Sequence, residues 1–385
     1  MTSAHLFSIM AAMPEKKLAM LSRQAGFDLA GACSLDPSRR RGGDGRWLYP
    51  ATLPDGKSVR MLKVLMDNAC QNDCGYCAQR AGRNTRRDRF EPDELARLFD
   101  GLARAGLVQA LFLSSGLGCN PVRAMDRMLE TVEIIRKRYA YRGFVHLKIL
   151  PAAQPAQVER AAELAQRISI NLEVPGASRM RALSSRKDFR SHILERMWWI
   201  SKQVTRPDTL ARGHTTQFVV GAAGESDREI VLATSSLYRD YRLSRAYYSA
   251  FQPVDDTPLA HLPPTCFMRE HRLYQADFLL RKYGFEESEI PFEADGNLCL
   301  HTDPKTRWAN AHPELFPLEV NSAEPESLLR VPGLGPLSVK RILVARGQGR
   351  IRWLDDIDRL GARSRQAAPF LLFAGHPGRR QLELF

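Results

Sequence analysis

Long apolar runs, repeats and a surplus of acidic residues are all missing from this sequence. No window approaches the ~18 uninterrupted apolar residues of a membrane span. The opening stretch, Met1 to Met20, carries Glu15, Lys16 and Lys17 and lacks a long uncharged segment, so it does not read as a secretory signal. The expectation is a cytoplasmic protein with no membrane partner. Absence of repeats and low-complexity tracts excludes solenoids and fibrous assemblies. A disulfide framework is excluded by the cysteines, which number seven, an odd count, with three crowded into eight positions. That usage fits a reduced compartment and a metal site. Acidic residues number 43 against 56 Lys and Arg, leaving a formal charge of +13. An excess of that sign points to a polyanionic partner without identifying it.

With 385 residues, 44% of them hydrophobic, the chain has room for two or three globular domains. Leu18, Leu21 and Ala25 give helical spacing between Pro14 and Ala32, and the Gly- and Arg-rich run Ser38–Arg46 reads as a loop. From Ser58 onward, short apolar runs at 60–66, 110–114, 143–149, 168–174, 215–220 and 246–251 alternate with amphipathic stretches. Those stretches lie at 92–105, 124–139, 155–166, 192–204 and 226–238. Strand followed by helix, repeated in this way, predicts a parallel sheet wrapped by helices, either doubly wound or a partial barrel. A Pro-rich stretch, 252–264, interrupts the pattern, a helix is expected at 268–283, and an irregular segment runs on to Asn321. The remainder reads as a separate small helical unit.

Directly after the first predicted strand stands Asn68-Ala-Cys70-Gln-Asn-Asp-Cys74-Gly-Tyr76-Cys77. Three thiols at spacings of four and three, in a loop containing Gly75, can converge on one centre. Three thiolates on a four-iron cluster leave one iron free of protein ligands, open to a chelating substrate. A structural zinc site would want a fourth ligand, and neither a second Cys-x2-Cys nor a close His pair is present. Cys33, Cys119, Cys266 and Cys299 are scattered and read as buried free thiols.

Cys-x3-Cys-x2-Cys with an aromatic before the last cysteine resembles the signature of the radical S-adenosylmethionine (radical SAM) superfamily. That resemblance implies a partial (β/α)6 TIM barrel, a 4Fe-4S cluster on Cys70, Cys74 and Cys77, and S-adenosyl-L-methionine on the open iron. It further implies an electron donor such as flavodoxin or ferredoxin. Ser114, Ser115 and Gly116, at the end of the next strand, stand where the family has its Gly-Gly-Glu-like segment, without its acidic residue. Asn171 and Glu173, two apart on a predicted strand, share a face and suit a ribose diol. They are similar to the Asn-x-acid pair of biotin-synthase-like members. Gly221 in Phe218-Val-Val-Gly221-Ala-Ala-Gly224-Glu225 resembles the strand end beside adenine, and Phe251 the last strand of the core. With Tyr76, these complete the implied cofactor-binding set. Lys187 and Arg190 read as a solvated basic face, with reach to the cofactor carboxylate as the alternative.

A second motif, Leu328-Leu-Arg-Val-Pro-Gly333-Leu-Gly335-Pro-Leu-Ser-Val-Lys340-Arg341-Ile342, resembles a helix-hairpin-helix, which holds nucleic-acid backbone without reading bases. Amides around Gly333 and Gly335 and the cations of Lys340 and Arg341 are the expected phosphate contacts. Protein-to-protein packing is the alternative for such a hairpin. Arg80, Arg83, Arg86, Arg87 and Arg89 crowd ten positions beside the cysteines and read either as a solvated face or as the lining of a phosphate channel. Trp308 and Phe316 stack on a base or, more simply, pack between domains.

Core plus hairpin resembles the DNA modification or repair radical SAM family over nearly the whole chain. The expected organisation is an α/β protein with an N-terminal helical extension (1–57), the radical SAM core (58–260), a linker and barrel-capping segment (261–321) and a small all-α helix-hairpin-helix domain (322–385). The leading expectation is an enzyme acting on nucleic acid, DNA first, through 5′-deoxyadenosyl radical hydrogen abstraction. A small-molecule radical enzyme with a docking tail and a DNA-binding iron-sulfur sensor without catalysis remain alternatives.

Overall fold

The computed structural model describes residues 15–26, 48–52, 56 and 58–378. Cys33 and the loop expected at 38–46 lie outside the described residues. Contacts divide the chain into two compact units, 1–225 with 236–270, and 226–235 with 271–385. From residue 271 the chain belongs with the second unit.

The first unit is built on a seven-stranded sheet whose spatial order is the chain order. β1 (Leu48–Thr52) pairs antiparallel with β2 (Ser58–Leu65). Five further strands follow in parallel: β3 (Ala110–Ser114), β4 (Phe144–Lys148), β5 (Arg167–Ser169), β6 (Gly213–Val220) and β7 (Arg245–Ala250). Helix α1 (Glu15–Ala25) buries Leu18, Leu21 and Ala25 as its spacing predicts, and Ser22 donates from its hydroxyl to the Lys63 carbonyl at 2.6 Å. The crossovers are α2 (Pro92–Arg104), α3 (Pro121–Lys137), α4 (Pro155–Leu164), then α5 (Ala177–Leu183) and α6 (Glu195–Gln203), and finally α7 (Asp227–Asp240).

Each of α2, α3 and α4 starts with proline, whose fixed φ suits the first helical position and whose missing N–H is not needed there. A side-chain cap on the preceding residue reinforces α3, where Asn120 accepts from the Arg123 amide. β3 is buried along its whole length, which explains its unbroken apolar sequence: a parallel strand is covered on both faces.

Leu65, Ser114, Lys148, Ile170, Val219 and Ser249, at or just past the C-terminal ends of the six parallel strands, line one cavity. Six flat strands would spread over about 24 Å at ~4.8 Å each, so the sheet must curl for its ends to share a cavity of this kind. This is the partial (β/α)6 barrel. One interior rung is polar and aromatic: the Lys63 ammonium lies 5.0 Å from the Phe112 ring centre, and Phe112 meets His146 edge-on at 4.7 Å. His146 Nε2 bonds Ser169 Oγ at 2.8 Å, and burial keeps this imidazole neutral.

In the second unit, α8 (Phe267–Lys282) leads from its residue 271 into α9 (Pro304–Ala311), α10 (Pro325–Arg330), α11 (Pro336–Gln348), α12 (Leu354–Arg359) and α13 (Ser364–Ala367). Leu328, Val331, Leu334, Val339, Ile342, Ile351 and Ile357 form its core. Beside the expected helices runs a small sheet, β8 (Leu318–Glu319), β9 (Leu371–Phe373) and β10 (His376–Pro377), whose strands of two or three residues are too short to leave a periodic signal. Trp308 is buried, stacked on His312 at 4.2 Å and edge-on to Phe285 at 5.3 Å, with the Arg330 guanidinium 3.8 Å from the Phe285 ring centre. It packs inside this unit. Among the described residues no helix is long and apolar enough to cross a membrane.

Lys305 is buried, donating to the Leu334 carbonyl at 2.6 Å beneath the Tyr283 ring. Burial pushes its pKa down to about 7, with nearby Asp303 acting in the opposite direction. An unfolded lysine protonates near about 10.4. Between these values the unfolded chain binds a proton the folded chain does not, so stability rises with pH across that window. Urea unfolding followed by tryptophan fluorescence should therefore show a smaller gain between pH about 7 and 10 for Lys305→Met than for the parent. Identical gains would refute the assignment.

Candidate functional site

The cavity at the barrel mouth, about 210 Å³, is lined by Cys70, Cys74 and Cys77 on one side and by Asn171, Glu173, Gln217 and Phe251 on the other. Its cysteine loop has no regular structure of its own and is held by side chains elsewhere in this unit. Arg87 donates to four backbone carbonyls: Asn68 at 2.5 Å, Gln79 and Arg80 at 2.9 Å, and Arg83 at 3.2 Å. Asn68, fully buried, accepts from the Asp88 amide and donates to Gln24 and the Arg86 carbonyl. Asp73 accepts from the Ser184 hydroxyl and from Ser185 Oγ at 2.6 Å. Burial alone would raise the Asp73 pKa, but these bonds hold it well below the usual carboxylate range. The Gly75 amide donates to the Leu183 carbonyl at 2.7 Å, and a side chain there would press on Leu259.

Opposite the loop, the 114–118 segment runs against 66–69. The Gly116 amide donates to the Asp67 carbonyl at 2.7 Å and the Gly118 amide to the Ala69 carbonyl at 2.9 Å. A Cβ on Gly116 would stand 2.1 Å from the Ala69 oxygen, so only glycine permits this approach.

The thiols are crowded and desolvated. Burial and the neighbouring Cys74 push Cys77 up to about 12; burial also raises Cys74, with Lys187 acting against it. Lys187 is the cation of this site: its side chain is 8% exposed and its ammonium lies 3.2 Å from Glu173 Oε1. The expectation of a solvated basic face holds for exposed Arg190 and is corrected for Lys187, which lines the cavity. Three buried polar atoms facing this cavity have no hydrogen-bond partner: Glu173 Oε2, Gln217 Oε1 and Gln79 Nε2. Leaving such an atom unpaired costs about 1–3 kcal/mol.

Cys70, Cys74, Tyr76, Cys77, Ser114, Ser115, Gly116, Asn171, Glu173 and Phe251 all line the cavity; Gly221 does not. Gly221 sits at φ +91° with its amide on Glu225, and a Cβ would collide with Thr265 Oγ1 at 2.1 Å, so it serves the packing of 265 against the strand end. Asn171 and Glu173 converge for a different reason from strand alternation. β5 stops at Ser169, and Glu173 has φ +70°. Its amide donates to the Gln217 carbonyl at 2.9 Å, and its carbonyl accepts from Val219 at 2.8 Å, which turns it toward the thiols. Cys119 and Cys266 are exposed, contrary to the buried free thiols expected. The arginine run divides: Arg80, Arg83 and Arg87 bond backbone carbonyls, while Arg86 and Arg89 reach the surface. Gln79, Lys148, Gln217 and Ser249 also line the cavity and carry no motif. Lys148 ends β4, Ser249 is the last but one residue of β7, and Gln217 lies inside β6.

In the second unit, Gly333 has φ +81°, and a Cβ would meet the Arg363 carbonyl at 2.6 Å. Gly335, at φ −110°, needs no such freedom, and a Cβ there would only touch Tyr283. Of the two glycines, Gly333 is the one this turn cannot replace. Lys340 and Arg341 are exposed on α11.

No family model and no curated protein matches the chain. Solved structures do. Methylornithine synthase (PylB) is 13% identical with a TM-score of 0.46, covering 56% of this chain and 60% of that one. The FeFe-hydrogenase maturase HydG from Carboxydothermus hydrogenoformans is 13% identical at 0.44, covering 56% and 50%. The radical S-adenosylmethionine methyltransferase TsrM from Kitasatospora setae is 13% identical at 0.40, covering 51% and 37%. The chain thus spans about half the length of the solved structures it matches.

If Arg87 holds the cysteine loop closed, Arg87→Ala should speed native-state trypsin cleavage after Arg80, Arg83 or Arg86 by roughly tenfold or more, since ~1.4 kcal/mol of lost local stability is tenfold in the open population and the bonds involve a charged donor. Cleavage at the parent rate would show that the loop stands without it.

Proposed function

We propose that this chain is a radical SAM enzyme acting on nucleic acid. One observation carries the first part: three thiols, one buried lysine and three unpartnered polar atoms face a single cavity. Among the described residues no three His, Cys, Asp or Glu come close enough to hold one ion. Thiols that ring a cavity without meeting at a point suit a group several ångströms across. The donor set therefore fits a 4Fe-4S cluster on Cys70, Cys74 and Cys77, which leaves one iron open. Such a cluster, given one electron by an external donor, supplies reductive cleavage of S-adenosylmethionine to methionine and a 5′-deoxyadenosyl radical able to take a hydrogen atom from substrate.

The surrounding residues have separate tasks. Lys187 offsets the negative charge that three thiolates bring into a desolvated wall. Glu173 Oε2 is an acceptor without a donor, and Asn171 stands beside it, so the pair suits two hydroxyls of a ribose. Ile149, Ile170, Val219 and Phe251 give apolar walls for a flat base and keep water out. Tyr76 is held neutral by burial and the charge of Glu173, so it keeps its O–H in the wall of the cavity.

The nucleic-acid part rests on the net charge of +13 and on the turn between α10 and α11. No side chain caps the start of α11 and Pro336 has no N–H, so the Leu337 and Ser338 amides stay free for an anion, and Lys340 and Arg341 lie exposed just beyond.

Cys70→Ala, Cys74→Ala and Cys77→Ala should each abolish 5′-deoxyadenosine formation in anaerobically reconstituted protein, while Cys119→Ala and Cys266→Ala keep it. Cleavage surviving any of the first three changes would remove that residue from the ligand set. The double change Lys340→Glu and Arg341→Glu should weaken DNA binding, with little dependence on sequence and a loss that shrinks as salt rises. DNA affinity equal to the parent's would assign the hairpin to protein packing.

A further inference from the structure

The first unit contains a second cavity, of about 470 Å³, walled by Arg87, Arg89, Arg123 and Arg127 with Asp67 and Asp88. It shares a wall with the thiol cavity. Asp67, Ala69, Gly118 and Asn120 face one side, while Cys70, Ser115, Gly116 and Leu117 face the other. That wall is two backbones thick, joined by the Gly116 and Gly118 amide bonds and too tight at Gly116 for a Cβ.

The four guanidinium groups are not equivalent. Arg87 is committed to backbone carbonyls. Arg89 pairs with Glu91 at 3.2 Å, both side chains more than half exposed, and such a pair is worth at most ~1 kcal/mol and yields to a stronger anion. The guanidinium groups of Arg123 and Arg127 make no hydrogen bond or ion pair within the described residues; that of Arg127 acts as a charge near Asp67. They stand four apart on α3 and so share a face, where like charges destabilise a helix by tenths of a kcal/mol. Arg123 also stands in the first turn, where the helix end is itself positive and disfavours a cation. An anion in the cavity would offset both of these costs. The two carboxylates are engaged locally, Asp67 with the Ala69 amide and Asp88 with the Arg89 amide.

We propose that this cavity docks a backbone phosphate of a nucleic acid whose reacting nucleotide enters the thiol cavity across the shared wall. Planar guanidinium forks match phosphate oxygens in pairs, and arginine is less strongly hydrated than lysine. Sharing a wall with the thiols favours a polymer over a free phosphate ester, because a nucleotide held on one side has its neighbours' phosphates within reach of the other. The inference rests on the nucleic-acid reading above.

The test is fluorescence anisotropy of labelled single-stranded and duplex oligonucleotides on the cluster-loaded full chain over a range of salt. Arg123→Ala with Arg127→Ala should weaken binding about tenfold or more at low salt. It should also reduce the slope of log affinity against log salt by roughly 1.4 for single strands and 1.8 for duplex, two phosphate contacts' worth. Arg123→Lys with Arg127→Lys should restore most of the slope and part of the affinity. A control that removes two cations elsewhere, Arg104→Ala with Lys137→Ala, should keep the parent slope. The proposal is overturned if the alanine pair behaves like the control, or if the parent binds no oligonucleotide. It is equally overturned if inorganic phosphate or a mononucleotide, at matched phosphate concentration, displaces the probe as well as unlabelled oligonucleotide does. Failure of the enzyme reading shows separately, as absence of 5′-deoxyadenosine.

Discussion

Four carbonyl oxygens from a loop with no helix or strand of its own converge on the Arg87 guanidinium, and the geometry of the site depends on that convergence. In a helix the three thiols, at i, i+4 and i+7, would share one face but be strung along about 10 Å of its length, and in a strand Cys77 would point away from Cys70 and Cys74; an irregular loop can curl all three about one cavity. Its backbone groups therefore lack regular partners, and a buried carbonyl without one is costly. Arg87 supplies donors at one end of the loop, Asn68 ties its entry, and Asp73 fixes its middle to Ser184 and Ser185. The loop is thus positioned by polar bonds from rigid neighbours, and the thiols inherit their position from it.

The electrostatics of the cavity follow from that position. Three thiols and Glu173 crowd together with Lys187 in the wall and Lys148 at the cavity's edge, so with all three thiols ionised the negative groups would outnumber these two cations. A bound cationic group resolves the excess. The unpartnered oxygens of Glu173 and Gln217 point the same way, since each is stable in burial only when something donates to it.

Much of the fold was legible. β3 carries the same bounds in the sequence reading as in the structure, and α2, α4 and α8 differ by one or two residues at an end, because buried parallel strands and amphipathic crossovers leave strong periodic traces. β5 was overextended to 174, since the ladder breaks after Ser169 and returns only as a single bridge at Glu173, which has turned to positive φ. β1, with Pro50 inside it, and short α5 left no usable pattern. The thiols and most of their neighbours were readable from spacing and order. Lys187 and Arg87 were not: a one-dimensional run of charges looks the same whether the groups face water or collect carbonyls. Gly221 packs against Thr265 and does not line the cavity; a glycine needed for packing and one needed beside a ligand have the same appearance in sequence. Arg123 and Arg127 passed unnoticed on an ordinary amphipathic helix, and only the cavity beside them gives them meaning.

The central claim is that Cys70, Cys74 and Cys77 hold a cluster with one iron open to S-adenosylmethionine. Electron paramagnetic resonance of the reduced, anaerobically reconstituted chain tests it most directly. The account predicts a four-iron signal whose shape changes on adding S-adenosylmethionine and does not change on adding an analogue lacking the amino and carboxylate groups. A spectrum indifferent to S-adenosylmethionine, or a protein that takes up zinc in place of iron and sulfide, would contradict it.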